Sequence, residues 1–194
     1  MVDGDCFMKN PLDSLIDEVL RFDVARAAMI DPSGIDYSSD FRRLCEENKC
    51  GHYGTNWMCP PLVGPYDACK ARAGRYQIGL VFQTVHPMPN SRDWKGIRNS
   101  FNAHDRALKK VMKHLKEVYG VEDMLALGAG PCTYCEKCAS VEGEKCPFPD
   151  EAVPSLESHG IDVGALVHSC DIPYHNEKGT ISLVGCVFFK PKET

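Results

Sequence analysis

Residues 128–149 read GAGPCTYCEKCASVEGEKCPFP and contain four closely spaced cysteines: Cys132, Cys135, Cys138 and Cys146. A proline follows the last of them directly. Core packing does not require so many cysteines in one short stretch. Thiolates separated by two intervening residues can converge on one point, which is what a metal centre needs. The stretch therefore predicts a cysteine-bound metal centre in an irregular loop.

The spacing of these cysteines, C-x2-C-x2-C-x7-C-P, favours an iron–sulfur cluster. Three cysteines in one tight run wrap three corners of a [4Fe–4S] cubane, and a later cysteine followed by proline supplies the fourth ligand. Bacterial ferredoxins have three residues before that last cysteine, whereas this chain has the longer segment 139–145. Structural zinc usually draws on two separated cysteine pairs. Zinc is the main alternative, and a metal-free redox or structural role is the third.

A first group of cysteines, Cys45, Cys50 and Cys59, lies in the segment 45–65, CEENKCGHYGTNWMCPPLVGP. The prolines and glycines of this segment predict a long loop. Three interpretations stay open. The thiolates hold a second cluster with one iron open to a small ligand, one of them completes or covers the first cluster, or zinc stiffens the loop. An open iron indicates an enzyme, and fully coordinated iron indicates electron transfer.

Composition predicts a cytoplasmic protein with a single metal-binding domain over residues 1–194. Net charge −5, 43% hydrophobic and 25% charged residues are ordinary for a globular domain. The charge gives no reason to expect nucleic acid or an anionic membrane as a partner. No apolar run approaches the ~20 residues of a membrane span, and residues 1–10 lack a secretory signal. Eleven cysteines without such a signal indicate a reducing compartment, where clustered cysteines bind metals rather than form disulfides.

The order of predicted elements indicates an α+β fold. It has a small central sheet of about four strands, packed helices, and the two cysteine-rich loops at one end. A short apolar run that stops at the turn 31–34 predicts a strand over 24–30, and its three alanines suit a helix too. β-Branched and aromatic residues predict a buried strand over 76–85, and further strands are predicted over 124–127 and 180–189. Gly185, inside the last strand, predicts a bulge or a close backbone approach.

Capping residues and apolar periodicity predict the helices. Asn10 and Pro11 mark the start of a first helix. Ser38 or Ser39 caps a short helix that ends by delivering Cys45. Further helices are predicted from 65 to 74, from a start between 91 and 102 to 119, and from 154 to 170 with an interruption at 160.

Other residues have plainer interpretations. Tyr53 and Trp57 are predicted to pack around the metal and shield it. Cys170 and Cys186 fall on apolar elements and are predicted to be small core residues. The basic side of the long helix is predicted to be a solvated face; its residues are Arg106, Lys109, Lys110, Lys113 and Lys116.

Four pieces of the sequence together resemble the DUF2284 family, which comprises predicted metal-binding proteins of bacteria and archaea. The pieces are CGHYGTNWMCPP at 50–61, GAGPCTYCEKC at 128–138, CPFP at 146–149 and PSLESHGIDV at 154–163. They span the chain from about residue 45 to its end. The family typically has arginine where this chain has Val153. The resemblance implies a cysteine-bound metal, expected as an iron–sulfur cluster, and implies no particular reaction.

These patterns lead to three functional hypotheses. The first is an iron–sulfur protein that passes single electrons to a redox protein partner or serves a redox enzyme. The second is an enzyme whose open cluster, held by Cys45, Cys50 and Cys59, binds a substrate, for instance in sulfur transfer or removal. The third is a zinc-stabilised interaction module.

Overall fold

A computed structural model describes residues 12–88, 90 and 92–191. The described residues form one antiparallel sheet and five α-helices, which confirms the predicted α+β class. The strands are β1 (Arg26–Ile30), β2 (Ile78–Pro87), β3 (Met124–Leu127) and β4 (Thr180–Phe189). The helices are α1 (Leu15–Val19), α2 (Ser39–Glu46), α3 (Tyr66–Gly74), α4 (Trp94–Tyr119) and α5 (Val163–Ser169). Short 3₁₀ turns occupy Pro32–Gly34, Ala139–Glu142 and Glu157–His159.

The sheet has the strand order β1-β2-β4-β3, and every neighbouring pair is antiparallel. The two long central strands, β2 and β4, pair from Ile78 opposite Phe189 to Pro87 opposite Thr180. Successive side chains of a strand point to opposite faces of a sheet, so both central strands supply two sets of apolar residues. Their near-continuous hydrophobic sequences fit burial on both faces.

One face of the sheet packs against α1 and α4. Leu80 and Phe82 of β2 and Val187 and Phe189 of β4 face this side together with Leu15, Val19, Leu108, Val111 and Leu115 of the helices. The other face carries Val81, Cys186 and Phe188, which pack with Ala73 of α3, Leu156, Ile161, and Leu166 and Val167 of α5. The fold is thus a sheet covered by helices on both sides, with Cys186 in the core as predicted.

Local signals set several element ends as the sequence indicates. The Ser38 hydroxyl accepts the Asp40 backbone N–H at 3.1 Å and caps α2, which carries Cys45 in its last turn. Gly120 ends α4 in the left-handed conformation with φ 64°. Gly160 interrupts the 154–170 region with φ 74°. The predicted cap Asn10 and the following Pro11 lie outside the described residues.

Gly185 allows a close approach of side chains and does not form a bulge, because the β2–β4 register runs through it without a break. A Cβ atom at this position would lie 2.6 Å from Cζ of Phe82 and 3.2 Å from Nε2 of His104. The central sheet therefore accepts only glycine here without rearrangement. Separately, no helix in the described ranges is both long and apolar enough to cross a membrane.

We expect Gly185→Ala to lower the free energy of unfolding by ~1–3 kcal/mol, because the new methyl group overpacks the core against the Phe82 ring. Chemical denaturation of the variant and of the wild type measures the difference. Gly34→Ala is the matched control, since a Cβ there meets no described atom within 4 Å. Equal stability of the wild type and Gly185→Ala would contradict this packing.

Two buried histidines make the stability of the fold dependent on pH. His104 is 2% exposed and His159 is fully buried. Burial, aided by the charge of His86, lowers the pKa of His104 to about 3. Burial, followed by the charge of Arg72, lowers the pKa of His159 to about 4. Both side chains are therefore neutral in the folded protein around neutral pH.

We expect the free energy of unfolding to fall as the pH drops from 6.5 to 4.5. In this range the two histidines become protonated in the unfolded chain, whereas buried His104 and His159 stay largely neutral in the folded protein. Each histidine contributes up to about 1.4 kcal/mol per pH unit to this slope. Denaturant titrations across that range should show a shallower slope for His104→Gln. His175→Gln, at an exposed position, should keep the wild-type slope; the same slope in all three proteins would refute the assignment.

Candidate metal centre

The second cysteine loop, residues 128–149, leaves the sheet at the end of β3 and is held at its base by backbone hydrogen bonds. The Gly128 N–H donates to the Pro154 carbonyl at 2.9 Å, and the Leu156 N–H donates to the Gly128 carbonyl at 3.1 Å. Gly128 and Ser155 thereby form an isolated parallel bridge. The chain that returns from the loop is thus pinned beside the residue where the loop begins.

Gly130 brings the start of this loop against α4. It has φ 70°, and a Cβ atom there would lie 2.6 Å from Cε1 of Phe101. Only glycine combines a left-handed backbone with so close an approach at low cost. The Gly-Ala-Gly-Pro run before Cys132 is therefore explained by packing on α4.

A cavity of about 640 Å³ lies between the second cysteine loop, the first cysteine loop (residues 45–65) and α4. All four cysteines of the second loop line it: Cys132, Cys135, Cys138 and Cys146. The first loop contributes residues 51, 52 and 55–58, and α4 contributes Arg98 and Asn102. The structure thus brings the four cysteines of the second loop to the wall of one cavity.

The two cysteine loops are joined by hydrogen bonds from Asn56 and Trp57. The Asn56 side-chain amide donates to the Cys132 carbonyl at 2.8 Å, and its oxygen accepts the Met58 N–H at 3.0 Å. The Trp57 indole donates to the Glu144 carbonyl at 2.9 Å. Asn56 is only 3% exposed. These bonds place Trp57 in the cavity wall, in the position where a side chain can shield a bound metal.

Arg42 and Arg72 hold the other end of the first loop. The Arg42 guanidinium donates to the Gly64 carbonyl at 2.7 Å and to the Ser158 carbonyl, and Arg72 donates to the Val63 carbonyl at 3.2 Å. The arginines come from α2 and α3, whereas Ser158 belongs to the 3₁₀ turn that follows the second loop. Arg42 therefore joins the end of the first loop to the 3₁₀ turn, and Arg72 joins it to α3.

The cysteines of the first loop differ in exposure. Cys59 is 9% exposed, Cys45 is half-buried and Cys50 is exposed. Burial first, and then the nearby Cys50 and Cys45 thiols, raise the pKa of Cys59 to about 12. Among the described residues that line the 640 Å³ cavity, Cys45, Cys50 and Cys59 do not occur. These three thiols lie outside the lining of the cavity, but Cys59 is close enough to Cys132 and Cys138 for their charges to raise its pKa as well.

Backbone N–H groups act on two of the four thiols of the second loop, those of Cys132 and Cys138. Burial raises the pKa of Cys132, and a hydrogen bond from the Tyr134 N–H offsets part of this effect. Burial also acts to raise the pKa of Cys138, but the neighbouring Ser140 and the Trp57 backbone N–H outweigh it and lower the pKa. Hydrogen bonds to thiolate sulfur are what cysteine-bound iron–sulfur clusters use to tune their potential. The donors around these thiols fit such a cluster.

No three His, Cys, Asp or Glu side chains in the described part of the chain stand close enough to hold a single metal ion. A zinc ion brings its sulfur ligands to about 3.8 Å from one another, since each Zn–S bond is about 2.3 Å long. The cysteines of a cubane bind separate iron atoms and stand farther apart. We therefore define the site by the four thiols that line the same cavity, and the described side chains do not surround a single ion position.

A family model for DUF2284, described as a predicted metal-binding protein, matches residues 28–189. The chain belongs to the DUF2284 family. The match includes both cysteine loops and the segment 153–156 that closes the second one. No curated protein and no solved structure matches the chain. Where DUF2284 proteins typically have arginine, the half-buried Val153 packs against the core.

Asn56 and Arg98 are the residues of the site that the sequence reasoning missed. Asn56 falls inside the CGHYGTNWMCPP motif, but an asparagine in a glycine-rich loop is ordinarily a turn residue. Arg98 lies in the first half of α4, far in sequence from either cysteine motif. Only the folded chain shows that both contribute to the cavity.

We expect Asn56→Ala to loosen the contact between the two cysteine loops. The substitution leaves the Cys132 carbonyl and the Met58 N–H without their partner, at a cost of ~1–3 kcal/mol. Hydrogen exchange of backbone amides in both loops should accelerate, and the free energy of unfolding should fall. Thr55→Ala is the control, because its hydroxyl bonds only within the first loop, to the Gly51 carbonyl at 3.3 Å. Unchanged exchange in the second loop of Asn56→Ala would refute the bracing role.

Proposed function

We propose that this DUF2284 protein binds a [4Fe–4S] cluster through Cys132, Cys135, Cys138 and Cys146 and transfers single electrons to a redox protein or a redox enzyme. The observation that carries the proposal is the shared cavity, to which all four thiols contribute. When bound, such a cluster supplies one-electron redox chemistry at a potential set by its surroundings. Family membership supports the coarser statement that the protein binds a metal.

The residues around the thiols support this proposal by their chemistry. The Tyr134 N–H acts to lower the pKa of Cys132 against the larger effect of burial, and Ser140 and the Trp57 N–H lower the pKa of Cys138, which favours the thiolate form that iron binds. The half-buried side chains of Trp57 and Met58 form part of the cavity wall and limit the access of water to the thiols. A drier site strengthens each of these electrostatic interactions.

The position of the second loop supports electron transfer to a protein partner. Tyr134, Val141 and Phe148 line the cavity and are 46%, 49% and 41% exposed. The Tyr134 and Phe148 rings pack together with centroids 4.6 Å apart. Apolar side chains beside a cluster give a partner protein a surface on which to dock close to the metal. We take the partner to be a redox protein and the compartment to be the cytoplasm.

Nucleic acid is a poorer partner for this chain. On the basic face of α4, Lys109 pairs with Asp105 at 3.1 Å and Lys110 pairs with Asp23 at 2.9 Å. Lysines neutralised by neighbouring carboxylates contribute little to phosphate binding.

The second candidate is an enzyme with an open-coordination cluster on Cys45, Cys50 and Cys59, acting for instance in sulfur transfer or removal. The observation that favours it is the group of thiols around Cys59, where the charges of Cys50, Cys45, Cys132 and Cys138 all act on one buried sulfur. A zinc-stabilised interaction module is the third candidate, supported by the metal-binding family alone.

We expect protein purified without oxygen to contain about four iron and four acid-labile sulfide per chain, with broad visible absorption. Single serine substitutions at Cys132, Cys135, Cys138 and Cys146 should each reduce the iron content strongly, because each removes one ligand. Cys170→Ser is the matched control, since this half-buried cysteine lies outside both loops. Iron and sulfide analysis with electron paramagnetic resonance of the reduced protein measures the result.

The other outcomes separate the candidates. About eight iron per chain, halved by Cys59→Ser, would support the second cluster and the enzyme. Stoichiometric zinc without sulfide would refute both redox candidates and leave the interaction module. Wild-type iron content in all four second-loop variants would refute the proposed ligand set.

A further inference from the structure

The cavity between the cysteine loops has the size of a small-molecule site. Its volume of about 640 Å³ lies within the ~300–1,000 Å³ typical of pockets for small-molecule ligands. The four cysteines assigned to the cluster all belong to the second loop. The wall formed by α4 and the first cysteine loop carries none of these ligands.

α4 presents a cation and an amide to this space. Arg98 and Asn102 both line the cavity and lie one helical turn apart, so their side chains extend from the same face of a rigid helix. Within the described part of the chain, Arg98 has no carboxylate partner within 4.0 Å. Lys137, another cation in the lining, is paired with Glu142 at 2.8 Å. Arg98 is therefore available to an anion.

The opposite charge lies on the other side of the cavity. Glu136, between two of the cysteines in sequence, also lines the cavity. A ligand with one anionic end is repelled from this carboxylate and attracted to Arg98. The cavity thus has a negative charge on the second loop and a positive charge on α4, so the anionic end of such a ligand would turn towards α4.

Aromatic rings form much of the remaining wall. Trp57 is held by its indole bond to the Glu144 carbonyl, and Tyr134 and Phe148 pack ring against ring. All three line the cavity. Rigid aromatic walls bind flat apolar groups through burial and ring contacts.

We propose that the cavity binds a small planar carboxylate, with the carboxylate on Arg98 and Asn102 and the flat apolar part against the aromatic wall. Arginine presents a planar fork of N–H donors that matches a carboxylate in a bidentate manner. This inference deepens the proposed function, since the bound molecule lies beside the cysteines assigned to the cluster.

Binding of benzoate to the full-length protein tests this site, with benzamide as the uncharged molecule of the same shape. We expect benzoate to bind the wild type at least tenfold more tightly than benzamide, measured by ligand-observed nuclear magnetic resonance. Arg98→Gln should weaken benzoate binding by about tenfold, or ~1.4 kcal/mol, and leave benzamide binding unchanged. Arg106→Gln is the matched control, because this exposed arginine lies two turns farther along α4 and is not part of the lining of the 640 Å³ cavity.

The same samples are analysed for iron, so that the two proposals are scored separately. Benzoate binding that depends on Arg98 supports the site whether or not iron is found, whereas missing iron counts against the cluster alone. Equal affinity for benzoate in the wild type and Arg98→Gln, or no binding of benzoate by the wild type, would overturn the ligand site. A change in cluster potential in Arg98→Gln with unchanged benzoate affinity would also overturn it, and would assign the guanidinium to the charge of the cluster.

Discussion

The pair of backbone hydrogen bonds at Gly128 is the constraint on which the rest of the site depends. β3 is only four residues long, but it pairs along its whole length with the central strand β4. Gly128 follows directly and binds the returning segment at Pro154 and Leu156. The neighbouring Leu127 and Leu156 are buried in the same core cluster. The ends of the second cysteine loop are thereby fixed by the sheet and the core, so the irregular stretch between them has limited freedom.

The first cysteine loop completes the site by crossing over the second. Asn56 and Trp57 bind carbonyl groups of the second loop, while Arg42 and Arg72 tie the end of the first loop to the short helices. The first loop thus satisfies backbone carbonyls of the second loop, and the two arginines satisfy carbonyls of the first loop, which would otherwise be left to water. A metal bound by the second loop would be covered on one side by the residues of the first loop that line the cavity. The hydrogen bonds of Asn56 and Trp57 thus bring the two cysteine motifs together through direct protein contacts.

Much of this fold can be predicted from the sequence because short-range signals determine it. The remaining features depend on contacts between residues far apart in the chain, which sequence patterns do not indicate. The Ser38 cap, the Gly120 stop and the apolar pattern of β4 each act within a few residues, so the sequence alone places those elements. The hydrogen bond from Asn56 to the Cys132 carbonyl joins positions 76 residues apart, and neither cysteine motif indicates it. The same limit applies to Gly185, where the sequence offers a bulge or a close approach and only the neighbouring Phe82 ring decides between them.

The distribution of buried residues separates the fold from its metal chemistry. Among the described apolar side chains with little exposure, the cysteine loops contribute only Cys59, Pro60 and Val63, whereas the sheet and the helices contribute two extensive clusters. A zinc finger has no such core and folds only with its metal. Here the two core clusters are formed by the sheet and the helices, and burial raises the pKa of Cys59 and Cys132, so that these thiols are neutral around neutral pH without a cation. Metal binding at these thiols must then displace protons.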